Sequence, residues 1–254
     1  MQFGWVVLFL GMAGAACGEA VKEPDVIQAR QLAPPTLLKA PAASPAVLSV
    51  YQFNNPAQQP VLNQPTQPVS DWKNPKWQTL VQSMRFTMQA NQGVGLSANQ
   101  VGEPFQLFLI DPSYGLSPSS EADVYINPVI TYTSKERSGF WHGCLSAKGE
   151  KLGQVATWNQ ITIKACDLSG KAFTKSLKGI EAIIFQHEFR HLLGGGYLDH
   201  ANTYMTEAQF MKAVAEGKER FIAPCDNKMP FLLDDYQVGE SIEMYNQRIN
   251  RKIK

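Results

Sequence analysis

The chain reads as an α+β fold, with antiparallel sheets packed around one central helix. Three observations predict it. Short apolar runs at 107–110, 124–130 and 161–165 have the length and composition of strands. Trp77, Leu80, Val81, Met84 and Met88 recur at helical spacing and give one apolar face. Ile180, Ile183, Ile184 and Phe185 open a second helix that is apolar on every side, and Gly194, Gly195 and Gly196 stop it. A helix without a polar face belongs in an interior.

That second helix carries the most specific chemistry. Gln186, His187, Glu188, Phe189, Arg190 and His191 contain the pattern His-Glu-x-x-His. Residues four apart lie one turn apart on the same helical face, so two imidazoles can hold one metal ion. Glu188 follows the first ligand and can reach a water as general base. The architecture is therefore one of sheets around a central metal-binding helix.

A catalytic metal site needs a third protein ligand and an open position. Downstream, Asp199, His200, Glu207 and Glu216 are available, which keeps open a metallopeptidase that cuts internal peptide bonds. Upstream, Cys144 lies in Trp141, His142, Gly143, Cys144, Leu145, Ser146 and is the better candidate. A thiolate binds divalent metals strongly, and the preceding glycine lets backbone approach closely. A third cluster, Gly93, Val94, Gly95, Leu96, Ser97, Ala98, Asn99 and Gln100, is small, Gly-rich and ends in an amide. It lacks the lysine of a nucleotide-binding P-loop.

In this order and spacing, the three clusters resemble the signature motifs of peptide deformylases: Gly-x-Gly-Leu-Ala-Ala-x-Gln, Glu-Gly-Cys-Leu-Ser and Gln-His-Glu-x-Asp-His-Leu-x-Gly. The resemblance runs from about residue 61 to about residue 199. It implies a metal-dependent amidohydrolase that removes the N-formyl group from formyl-methionyl peptides by attack of a metal-bound water. Cys144, His187 and His191 would hold one divalent metal ion, ferrous iron by resemblance, with zinc, nickel or cobalt able to replace it. Glu188 would move the water proton to the leaving amine. The Gln100 amide and the Leu145 backbone N–H would stabilise the oxyanion. Gly93, Val94, Gly95, Gly143, Ile183 and Ile184 would bind the peptide, which pairs as an extra strand with its Met side chain in an apolar pocket.

Three positions depart from the pattern. His142 stands where the family has Glu, Arg190 where it has Asp, and Ser97 where it has Ala. The first two exchange carboxylates for potentially cationic groups next to ligands, where partners orient the metal's own ligands. Arg190 is expected on the solvent side of its helix, the usual place for arginine. The departures motivate a second reading, a catalytically altered relative that acts on another N-acyl peptide or serves as a binding protein.

Around this core, the sequence divides into residues 1–17, 18–60, 61–205 and 206–254. The first is an apolar run followed by small residues and Cys17, too short to span a membrane. It resembles a secretory or bacterial lipoprotein signal. Export to the periplasm, with a possible membrane tether through the N-terminus, is the expectation, and a cytoplasmic location the alternative. Residues 18–60 are rich in Pro, Ala and Gln and read as a loosely attached linker. Residues 61–205 form the catalytic domain. In the last segment Thr206 caps a helix reaching about Gly217, and residues 245–254 read as a solvated basic tail. A net charge of +1 over 254 residues argues against a nucleic-acid partner, and a monomer is expected. Cys166 and Cys225 remain as a candidate disulfide should the domain be exported.

Overall fold

A computed structural model of the chain describes residues 45–113, 122–225 and 228–253. The proposed signal segment, Cys17 and most of the linker lie outside these residues. Two antiparallel sheets flank one helix. In chain order the elements are α1 (Gln59–Leu62), α2 (Lys76–Ala90), β1 (Gly95–Ser97), β2 (Leu107–Ile110), β3 (Asp123–Thr133), β4 (Arg137–His142), β5 (Leu152–Trp158), β6 (Gln160–Cys166), β7 (Ala172–Lys178), α3 (Gly179–Leu192), β8 (Tyr204–Met205), α4 (Glu207–Ala215), β9 (Ile222–Pro224) and α5 (Ile242–Ile253). The larger sheet runs β1-β2-β3-β6-β7 and the smaller β8-β5-β4-β9. Every pairing within them is antiparallel, so the α+β expectation holds.

The helix α3 is the centre. It touches β1, β2, β6 and β7 of the larger sheet and β5 of the smaller. Every residue from 182 to 192 is buried, as an all-round apolar sequence demands. Phe185 packs edge-on against Phe108 at 5.0 Å and Tyr125 at 5.2 Å, and Phe189 meets Tyr236 at 5.0 Å. The helix stops where Gly194 and Gly195 take φ of 87° and 104°, a left-handed conformation that side chains resist. A Cβ on Gly194 would also lie 2.8 Å from the backbone of Gln64. The amphipathic α2 buries Trp77, Val81, Met84 and Met88 against the other face of the larger sheet's apolar cluster.

Two expectations about the chain ends need correcting. Residues 45–60 are not loose. Leu48 N–H donates to Thr87 Oγ1 at 2.7 Å, Tyr51 N–H to the Gln100 carbonyl at 2.7 Å and Phe53 N–H to the Ser146 carbonyl at 2.9 Å. Tyr51, Gln52 and Phe53 supply the anchoring groups that the Pro/Ala/Gln composition hides. Nor are residues 245–253 of that expected tail solvated; they belong to α5, whose Ile242 and Tyr245 are buried in the main core with Ile249 packed beside them. The spacing of these three is helical. Thr206 does cap α4, accepting from Gln209 N–H. Cys166 and Cys225 are not joined in a disulfide.

The segment before α5 contributes Phe231, Leu233 and Tyr236 to the same core. Leu233→Ala is accordingly expected to cost about 2–5 kcal/mol, read as a lower denaturant midpoint at unchanged slope. A loss below about 0.5 kcal/mol would mean that this segment is not part of the cooperative unit.

Candidate metal centre and active site

Three chain segments deliver the candidate site. The helix brings His187, Glu188 and His191; the turn after β4 brings Cys144; and the turn after β1 brings Gln100. Cys144, His187 and His191 each offer one ligand atom, and these atoms lie within 4.8 Å of one another, all buried. Cys144 Sγ is 3.2 Å from His191 Nε2, close to the roughly 3.5 Å edge of a tetrahedral site with thiolate and imidazole ligands. The downstream candidates do not join them. His200 faces Asp234 at 3.4 Å instead.

Each ligand is already oriented. His191 Nδ1 lies 2.9 Å from the Gly195 carbonyl, which requires Nδ1–H and leaves Nε2 bare for a metal. Asn99 Nδ2 holds the His191 carbonyl at 2.8 Å, and Phe53 stacks beside the His191 ring. His187 turns its Nδ1 to His142 Nδ1 at 3.0 Å, the ring planes nearly parallel. Its Nε2 is thus left for the metal. Burial pulls His187 down to about 4. It holds His142 and His191 well below the usual histidine range, with His187 nearby adding to the effect. All three rings are neutral at pH 7, the form that binds metal. Burial, helped by the charge of Glu188, pushes the Cys144 thiol up to about 12, while bonds from Ser146 and Gln100 pull the other way. A buried thiol and two neutral imidazoles at one point fit a divalent cation well.

Glu188 and Gln100 face the same space. Burial pushes the Glu188 carboxyl up to about 8, against the pull of the Ser97 hydroxyl, which donates to Oε2 at 2.8 Å. The other oxygen crowds Gly95, where a Cβ would sit 2.3 Å from Oε1. Only glycine leaves that carboxylate in place. Ser97 N–H donates to Gln100 Oε1 at 2.8 Å, so the amide NH2 faces Cys144 Sγ at 3.3 Å and Ser146 Oγ at 3.0 Å. One cavity is lined by Gly93, Val94, Gly95, Gly143, Ile183 and Ile184, together with Gln100, Cys144, Leu145, His187 and Glu188. The residues predicted from the sequence therefore gather at one site, with His191 joining through the Cys144–His187–His191 group and not through the cavity lining. Phe140, which also lines the cavity, went unread, because nothing local distinguishes it from a core aromatic.

Arg190 is not on the solvent side. It is buried, with its guanidinium donating to Asp235 Oδ1 at 2.7 Å and to the Gly194 carbonyl at 3.0 Å. Asp235 also accepts from Tyr245 at 2.6 Å. Burial alone would raise the Asp235 carboxyl, but Arg190 and Tyr245 outweigh it and hold it below the usual range.

A model of the family described as polypeptide deformylase matches residues 49–207. This chain belongs to the polypeptide deformylase family. It is 32% identical over 154 residues to peptide deformylase 1 of Prochlorococcus marinus, covering 59% of this chain and 78% of that protein. To peptide deformylase 2 of a Nostoc species it is 30% identical over 180 residues, covering 68% and 98%. Among solved structures, a peptide deformylase from Legionella pneumophila matches with a TM-score of 0.55 at 29% identity, over 67% of this chain and 92% of that one. A class I type b enzyme from Acinetobacter baumannii with Met-Ala-Ser bound matches with a TM-score of 0.54 at 29% identity, over 61% and 98%. As a deformylase, the chain is a hydrolase that uses a divalent metal.

Restoring the family aspartate at Arg190 is expected to harm this deformylase. Arg190→Asp sets two carboxylates together and should cost about 3 kcal/mol, the low end for a broken buried pair because Asp235 is one-third exposed. Arg190→Asp combined with Asp235→Arg should recover most of it in a double-mutant cycle. Because the Asp235 carboxyl is lowered, its stabilisation is full above about pH 4 and fades as pH falls through its folded value. Asp235→Asn should remove that acid-side loss. Metal loading should release about one proton near pH 9, from Cys144, and about two near pH 7, where Glu188 also ionises. A pH-indicator dye reads both.

Proposed function

We propose that this chain hydrolyses the N-formyl group of formyl-methionyl peptides with Glu188 as the base and Gln100 as an oxyanion donor. The observation that carries the reading is the convergence on one cavity of Cys144, His187, Glu188 and Gln100. A divalent cation held by Cys144, His187 and His191 would activate water and polarise the formyl carbonyl. Glu188 accepts the proton as water adds to the formyl carbon, its Oε2 anchored by Ser97. The Gln100 NH2 and the Leu145 backbone N–H, next in chain to the ligand Cys144, stabilise the developing oxyanion. Glu188 then gives its proton to the amine nitrogen as the C–N bond breaks, and formate and the free peptide leave.

The peptide has a docking edge. β1 is an outer strand of the larger sheet, and Gly95 at its start keeps the backbone approachable. Val94, Leu145, Ile183 and Ile184 offer apolar surface to the first side chain. The Met-Ala-Ser bound by the Acinetobacter baumannii relative is the product expected of such a reaction, which supports the same substrate class here. Ferrous iron is the proposed metal, with nickel, cobalt or zinc as substitutes, because one thiolate and two imidazoles accept all of them. The apolar run before Cys17 supports an exported location, with Cys17 as the site of a lipid tether.

Metal-loaded protein is expected to release formate from formyl-Met-Ala-Ser, and Glu188→Gln to lose at least about a hundredfold in kcat while keeping its metal. Undiminished turnover in Glu188→Gln would remove the base from the mechanism.

A further inference from the structure

Gln52 lies outside the three motifs, yet its side chain spans the turn that carries Cys144. Its amide NH2 donates to the Val50 carbonyl at 3.0 Å and to the Leu145 carbonyl at 2.9 Å, and its oxygen accepts from Lys148 N–H at 3.0 Å. Two carbonyls and one N–H as partners decide which end of the amide is which. Gln52 is itself braced, because its backbone N–H donates to Gln58 Oε1 at 2.7 Å. Its neighbours grip the same region through backbone, Tyr51 N–H on the Gln100 carbonyl and Phe53 N–H on the Ser146 carbonyl.

The turn runs from Cys144 to Ala147 and is closed by Ala147 N–H on the Cys144 carbonyl at 3.0 Å. That closing bond does not fix the middle peptide, which points opposite ways in the two commonest turn types. Here the middle peptide is the Leu145 carbonyl and the Ser146 N–H. Gln52 holds the first, and the second donates to Cys144 Sγ at 3.4 Å. The Ser146 hydroxyl moves with this peptide, and it accepts from Gln100 Nε2 at 3.0 Å. Rotating the peptide would take the N–H from the sulfur and the hydroxyl from the Gln100 amide. Oxyanion stabilisation depends on donors that are aimed before charge develops. We propose that Gln52 is a positioning residue for deformylation: by holding the Leu145 carbonyl it fixes the Leu145–Ser146 peptide, and through Ser146 the aim of the Gln100 amide. The proposal rests on the deformylase reading of this site.

Two variants test it. Gln52→Glu keeps the size and the acceptor for Lys148 N–H but sets a carboxylate against the Leu145 carbonyl. Gln52→Met removes both bonds without adding charge. Formate release from formyl-Met-Ala-Ser is measured on the metal-loaded full chain and on both variants, with metal content and the denaturant midpoint beside it. Amide hydrogen exchange at Ser146, followed by nuclear magnetic resonance on the zinc-loaded full chain, is the readout independent of turnover. Gln52→Met is expected to lose about fivefold in kcat, the worth of one ordinary hydrogen bond, with KM and metal content unchanged and faster exchange at Ser146. Gln52→Glu is expected to lose more at pH 8. Relative to wild type it should recover as pH falls through about 4–5, where the introduced carboxyl gains a proton to donate. An unchanged kcat in Gln52→Met would overturn the proposal, whatever the exchange shows. So would a loss of kcat that comes with equal losses of metal and stability, which would make Gln52 merely structural. No turnover by the wild type would overturn the deformylase reading instead, and the exchange at Ser146 would still decide whether Gln52 holds the turn.

Discussion

Two imidazoles one helical turn apart must meet a thiol from another segment at a point nearly closed to water, and much of the structure follows from that requirement. Burial makes the imidazoles neutral and the thiol reluctant to ionise. A cation is the group that reverses the thiol's reluctance. The requirement also explains why α3 lies between two sheets instead of on a surface. A helix with one wet face would leave its ligands solvated, and the Glu188 carboxylate would lose the dry surroundings in which its proton transfers matter.

Around that point, one carboxylate comes from elsewhere in the chain. The helix carries Arg190 where its relatives' motif has an acid, and the matching carboxylate arrives from Asp235, beyond the 49–207 region that matches the family. Asp235 is in turn held by Tyr245 of α5. A charge exchange next to a metal ligand has thereby coupled the C-terminal helix to the catalytic helix. At His142 the exchange has a different character. A neutral ring accepts from His187 but brings a second nitrogen, which an acid at that position would not. At Ser97 a hydroxyl is gained on the base itself.

What was legible in the sequence was what is local. The spacing of His187 and His191, the glycines that end α3, the Cys144 turn and the Gly93 to Gln100 loop all announce themselves within a few residues, and three such motifs in order imply the fold that joins them. The fate of Arg190 could not be read this way, because the carboxylate that neutralises it lies 45 residues on. Composition misled at both ends. Tyr51, Gln52 and Phe53 pin a Pro-rich segment over the site through backbone and amide bonds. Ile242, Tyr245 and Ile249 make a core-facing stripe inside a basic run. That stripe was present as spacing and was outweighed by charge.

X-ray absorption at the metal edge of the loaded protein tests the central claim most directly. One sulfur at about 2.3 Å and two imidazole nitrogens at about 2.0–2.1 Å are predicted, with the sulfur lost in Cys144→Ser. A shell of three imidazoles without sulfur would mean that His142 is a ligand and Cys144 is not, and would contradict the account.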